Sequence, residues 1–154
     1  MVRLRGLGVA FLLTMFAASG LRAADSANPW TGSDLVTAAQ LNSQLPSVKA
    51  GKVILIHVGF RALYDQGHIP GSQYAGPGVK PESLVALRKL VEKMPHDREI
   101  VIYCGCCPWE VCPNIRPAFQ ALKQMGFSNL KVLDIPVRLE TDWAAKGYPL
   151  TKGE

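Results

Sequence analysis

All four cysteines of this chain, Cys104, Cys106, Cys107 and Cys112, fall within nine residues. Thiols at that density can attack electrophiles as thiolates, exchange disulfides or hold a soft metal ion. An apolar run of strand character, residues 100–103, leads into the cluster, and a helical pattern over 115–125 follows it. A cysteine at a strand-to-helix junction faces the turn's backbone N–H groups and the positive end of the helix dipole. Both favour thiolate over thiol. The segment that carries the chemistry is therefore this loop.

The spacing narrows the options. Cys104 and Cys107 form a C-x-x-C pair, with Cys112 five positions further on. Four thiolates could hold Cu(I) or Zn(II), with His57 or His68 as extra ligands. The spacing is not the paired C-x-x-C of zinc ribbons, however, and no C-x-x-C-H haem motif occurs. No resident metal or cofactor is expected; were a metal bound, Cys104, Cys106, Cys107 and Cys112 would hold it. Bridges within so short a window close small loops and remove little chain entropy, so a disulfide scaffold is a poor account of the cluster. A local disulfide stiffening the loop remains an alternative role for Cys106 and Cys112.

The N-terminus carries Arg3 and Arg5, then an apolar stretch over 6–18 that is shorter than the roughly 20 residues needed to span a bilayer. Small residues follow. This is the layout of a cleaved signal peptide over 1–23, with an uncleaved anchor helix as the alternative. It predicts a periplasmic or secreted protein with no membrane association after cleavage. The formal charge of +5 includes Arg3, Arg5 and Arg22; without those three it is +2. The remaining basic residues are scattered, and nothing supports a nucleic-acid partner.

Residues 24–33 read as a loosely ordered polar leader, and 34–154 as one domain, a size that buries a core without staples. Ser33 or Asp34 is placed to cap a helix running from Leu35 to Leu45 and stopped by Pro46. Strands are expected over 52–58, 99–103 and 130–135, and helices over 81–94 and 115–125, with Gly126 as a stop. Residues 67–72 form a turn-rich connection. Alternating strands and helices predict an α/β domain with a mainly parallel central sheet and helices on both faces, three layers in all. Reactive groups in such sheets lie at the carboxyl ends of strands, where His57 and Cys104 fall.

Three segments, in order and at compatible spacing, resemble the rhodanese-like (sulfurtransferase) family. Residues 64–72, YDQGHIPGS, are similar to its E-Y-x-x-G-H-I-P-G-A turn. Residues 100–104, IVIYC, match the strand that delivers its nucleophilic cysteine. The helix and strand ending in Trp143, Gly147 and Pro149 resemble its closing W-x-x-x-G-x-P. The resemblance implies that Cys104 is the nucleophile of a sulfurtransferase and carries sulfane sulfur as a persulfide. The loop, including Gly105 and Cys106, would cradle the persulfide anion. Cys107 is the first choice for a resolving thiol and Cys112 the second. The implied partners are a small sulfur-donor anion such as thiosulfate and a thiol or thioredoxin-like acceptor.

The resemblance breaks at the chemistry. His57 stands where the family usually has Asp, Gly59 where it has Arg, and Leu63 where it has Glu. Cys104 lies 22 residues before Gly126, about five more than in the compact C-x-x-G-x-R loop. Arg116 and Arg61 either attract the anionic donor or are solvated surface charges. His57 either tunes Cys104 or a bound anion, or is a satisfied core histidine. His68 is expected to fix its turn. Trp109 either shields the sulfur or forms a docking surface. The C-x5-R of rhodanese-like phosphatases is missing, because Glu110 occupies the sixth position after Cys104. Two other function classes stay open: a thiol–disulfide or Cu/Zn module on this fold, and a non-catalytic binding domain.

Overall fold

The computed structural model describes residues 28–153. The expected signal peptide lies outside them. Five strands make one wholly parallel sheet: β1 (Leu35–Thr37), β2 (Val53–His57), β3 (Gln73–Tyr74), β4 (Glu99–Tyr103) and β5 (Leu130–Asp134), in the order β1-β5-β4-β2-β3. The strand period of two assigns its faces. Ile54, Ile56, Ile100 and Ile102 pack on one side with Leu87, Val91, Phe119 and Leu122. Those partners come from α3 (Pro81–Val91) and α4 (Ile115–Gln124). Val53, Leu55, Val101 and Tyr103 pack on the other with Leu41 and Val48 of α1 (Ala38–Lys49) and with Trp143. The expected α/β architecture with helices on both faces is what forms.

The N-terminal elements differ from the sequence expectation. Leu35–Thr37 is a strand at the sheet edge, paired with β5, and the helix begins only at Ala38. Thr37 and Gln40 form a capping box: Thr37 Oγ1 accepts from the Gln40 N–H at 3.2 Å, and Gln40 Oε1 accepts from the Thr37 N–H at 2.9 Å. That reciprocal pair at a T-x-x-Q spacing fixes the start better than Ser33 or Asp34. Pro46 lies inside the helix, which runs on for one turn because Val48 is buried and the Ala50 N–H bonds back to the Pro46 carbonyl. The described end of the leader, from Asn28 on, is anchored rather than loose. Trp30 is buried, its ring 5.9 Å from Trp109 and 5.4 Å from Phe119.

The 67–72 turn is pinned from several sides. It follows α2 (Arg61–Gln66), a short helix the sequence pattern did not announce. Tyr64 Oη donates to the Ser72 carbonyl at 2.6 Å, and His68 Nδ1 bonds the Tyr64 carbonyl at 2.9 Å, with the two rings stacked 3.8 Å apart. His68 thus fixes the turn through a hydrogen bond. Beneath, Tyr103 Oη accepts from the Ile69 N–H and bonds Ser72 Oγ, both at 3.0 Å. Removing the phenol oxygen leaves the buried Ile69 N–H without this acceptor. Tyr103→Phe is therefore expected to destabilise the domain by about 1–3 kcal/mol, read as a lowered midpoint in urea at unchanged slope. An unchanged midpoint would show that the hydroxyl has no structural role.

Candidate active site

β4 ends at Tyr103, and Cys104 is the next residue, buried at the carboxyl edge of the sheet. The chain then turns through Gly105 in the left-handed region, φ +80°, which a side chain would resist. The Gly105 carbonyl accepts the Leu139 N–H at 2.9 Å, tying this turn to the start of α5 (Leu139–Asp142). There, Asp142 Oδ2 accepts from the N–H groups of Val137 and Arg138 at 2.7 and 3.0 Å. An open pocket of about 440 Å³ results, with Cys104, Gly105 and Cys106 at its base and Gln66, Arg138 and Leu139 among its walls.

Inside the loop the sulfurs converge. Cys104 Sγ lies 3.2 Å from Cys106 Sγ, and Cys106 Sγ lies 3.1 Å from Cys107 Sγ. Cys104, Cys106 and Cys112 have their sulfurs within 4.8 Å of one another. The C-x-x-C spacing would bring Cys107 to Cys104 on a helical turn. The loop is not helical there, and the Gly105 turn brings Cys106 closest instead. Cys104 and Cys112 are buried, whereas Cys106 reaches solvent. Asn114, fully buried just before α4, extends Nδ2 to 3.4 Å from Cys104 Sγ, and its Oδ1 accepts the Val79 N–H at 3.3 Å.

The electrostatics divide the thiols. Hydrogen bonds from Cys104 and then Cys106 pull the Cys112 pKa far down, with further help from the N–H groups of Asn114 and Ile115 and against the cost of burial. At Cys104 the contact with Cys106 lowers the pKa, but the bond to Cys112 and burial outweigh it and push the thiol up to about 11. The thiolate therefore does not fall on Cys104, where the sequence pattern set it, but on Cys112, where the N–H groups at the start of α4 add to the hydrogen bonds from Cys104 and Cys106.

His57 is buried, and burial lowers its pKa to about 4 against the opposing hydrogen bond to the Cys104 backbone. Its ring is neutral at ordinary pH. Nδ1 accepts the Gly59 N–H at 3.3 Å, and the ring lies among Tyr64, Tyr74 and Tyr103. It steadies the backbone at Cys104 as a satisfied core histidine, not as a charge that meets an anion.

The structure does not bring Arg61, Arg116 or Trp109 to the pocket. Arg61 pairs with Asp65 at 2.9 Å and lies 5.0 Å over the Tyr74 ring. Arg116 reaches Asn28 Oδ1 at 2.6 Å. Trp109 is half-buried and donates Nε1–H to Asp134 Oδ1 at 2.9 Å, anchoring the loop to β5. The basic residue at the pocket is Arg138, 3.4 Å from Glu140. Sequence reasoning missed Arg138, Leu139 and Asn114. Only Asn114, a polar residue at a helix start beside the cysteines, carried a local signal.

An α/β domain with a cysteine at the carboxyl end of a central parallel strand, cradled by the loop that leads into a helix, is the class defined by fold and site. A family model described as the rhodanese-like domain matches residues 37–135, and the chain belongs to that family. Among solved structures it resembles the BH2092 protein of Bacillus halodurans, with 18% identity over 76% of this chain and 75% of the other and a TM-score of 0.57. It also resembles the rhodanese-like domain of the Anabaena Alr3790 protein, with 21% identity over 77% and 79% and a TM-score of 0.54. A third likeness is to a variant of EanB, solved with ergothioneine covalently linked to a persulfide cysteine. There identity is 22% over 76% of this chain and 27% of EanB, with a TM-score of 0.55. No curated protein sequence matches the chain.

Proposed function

We propose that the protein is a sulfurtransferase that moves sulfane sulfur through a persulfide on Cys104. The observation that carries this reading is the position of the Cys104 sulfur: at the strand end, at the base of an open pocket, with Cys106 Sγ 3.2 Å away. In the first step Cys104 passes its proton to the hydrogen-bonded Cys112 thiolate and attacks the outer sulfur of thiosulfate. A Cys104 S–S bond forms, the sulfur–sulfur bond of the donor breaks, and sulfite leaves with the bonding pair.

Two fates follow. An external thiolate can take the outer sulfur and return Cys104 as thiolate. Alternatively, Cys106 attacks the inner sulfur and its proton leaves with the expelled sulfur as hydrogen sulfide, forming a Cys104–Cys106 disulfide; two electrons from a dithiol of thioredoxin type then restore both thiols. Cys106 takes the resolving role here because its sulfur lies 3.2 Å from Cys104 and lines the pocket, whereas Cys107 lies against Cys106, and Cys112, though hydrogen-bonded to Cys104, does not line the pocket. A signal peptide over 1–23 would place this chemistry in the periplasm or outside the cell, and N-terminal sequencing of the exported protein would test that cleavage.

The reading is tested by mass measurement after thiosulfate treatment under non-reducing conditions. In Cys106→Ser, which cannot resolve the persulfide, the expected product is one added sulfur, lost when Cys104 is replaced as well; in the wild type it is the Cys104–Cys106 disulfide. Hydrosulfide release in the absence of an external thiol is expected from the wild type and from Cys107→Ser, and is expected to be lost in Cys106→Ser. Absence of a sulfur adduct on Cys106→Ser overturns the reading. Release that persists in Cys106→Ser overturns the resolving step alone.

A further inference from the structure

We infer that the sulfurs of Cys104, Cys106 and Cys112 form a three-thiolate site for Cu(I). They come from three places in the loop, namely the end of β4, the turn after Gly105 and the approach to α4, and they lie within 4.8 Å of one another. Three sulfurs around one ion at about 2.3 Å are separated by about 4 Å, so small side-chain movements close the site. No imidazole or carboxylate joins the three sulfurs among the described residues. A donor set of sulfur alone selects a soft ion, and three ligands without a fourth suit Cu(I) better than tetrahedral zinc.

The surroundings favour a buried anionic site. Asn114 Nδ2 points at Cys104 Sγ from 3.4 Å, and the N–H groups of Asn114 and Ile115 face Cys112. Such outer N–H donors offset the charge left when three thiolates surround a monovalent cation. Cys106 is exposed and gives the ion its way in, while Cys104 and Cys112 are buried. Binding forms three S–Cu bonds and sends the thiol protons to solvent; copper enters and stays as Cu(I), and no electron moves. Cys107 lies outside the group of three. The site shares Cys104 with the proposed sulfur transfer, so copper and persulfide exclude each other.

The test is anaerobic titration of the reduced protein with Cu(I) against a chromogenic Cu(I) chelator, followed by native mass measurement. One copper per chain, withheld from the chelator, is expected. Cys106→Ser and Cys112→Ser are each expected to weaken binding by about 10²-fold or more, and Cys107→Ser to leave stoichiometry and affinity as they were. Because Cys106 is exposed, its replacement keeps the fold and decides the matter even if the buried Cys112→Ser does not. Loss of all copper to the chelator overturns the site, as does a Cys107→Ser protein weakened as much as Cys106→Ser. Sulfur transfer is measured on copper-free protein, so either proposal can fail without the other.

Discussion

Cys104→Ser is expected to lower sulfur transfer from thiosulfate by about 10³-fold or more while leaving the domain folded, because a hydroxyl does not form the persulfide on which every later step depends. The size of the loss follows from the absence of a substitute. Cys112 is buried, and neither it nor Cys107 lines the pocket. Cys106 is the one other thiol lining it, and is exposed. The comparison with Cys106→Ser is therefore decisive. If Cys106→Ser abolishes transfer to an external thiol and Cys104→Ser does not, the nucleophile is Cys106 and the strand-end position only supports it. The converse, transfer retained in Cys106→Ser and lost in Cys104→Ser, assigns the attack to Cys104. Thermal unfolding of both variants separates chemistry from folding. Serine is smaller than cysteine by little, and the site it enters is partly polar through Asn114, so the expected stability change is small beside the catalytic one.

What the sequence revealed of this site follows the range of the interactions. β2 and β4 were legible because each is a continuous apolar run buried on both faces. α3 and α4 were legible through their helical periodicity, and Cys104 through its place at the end of a buried strand. β1 is three residues long and β3 two, too short to show a period. Their strand character comes from partners far away in sequence, Val132 to Asp134 for β1 and Ile56 and His57 for β3. The same limit governs the pocket. Arg138 and Leu139 face the cysteine loop through one bond to the Gly105 carbonyl. Arg61 and Arg116 were named for their charge, but Arg61 pairs with Asp65 and Arg116 bonds the Asn28 amide oxygen, and neither lines the pocket. The C-x-x-C pair misled for another reason: the backbone between its members follows the left-handed Gly105, which redirects Cys106 and not Cys107 toward the nucleophile.

Asn114 links packing to chemistry, and Gly78→Ala is expected to expose that link. The Gly78 N–H bonds the Val58 carbonyl at 3.0 Å, and the neighbouring Val79 N–H bonds Asn114 Oδ1 at 3.3 Å, which presses this segment onto the start of α4. A methyl group at Gly78 would overlap the Asn114 carbonyl oxygen and stand 3.2 Å from Ala118 Cβ. Backbone meets backbone there, so no flexible side chain can give way. Overpacking of this kind costs about 1–3 kcal/mol. The relief available is to move Asn114, whose Nδ2 faces Cys104 Sγ and whose N–H faces Cys112. A shift of the order of 1 Å at a reacting group can cost about 10²-fold in rate. Gly78→Ala is thus expected to lower the urea midpoint and, where it is still folded, to slow sulfur transfer by about that factor. Gly32→Ala serves as the control, since a methyl there meets nothing within 4 Å. A Gly78→Ala protein that loses stability yet keeps full transfer would show that the cysteine loop holds its geometry without Asn114.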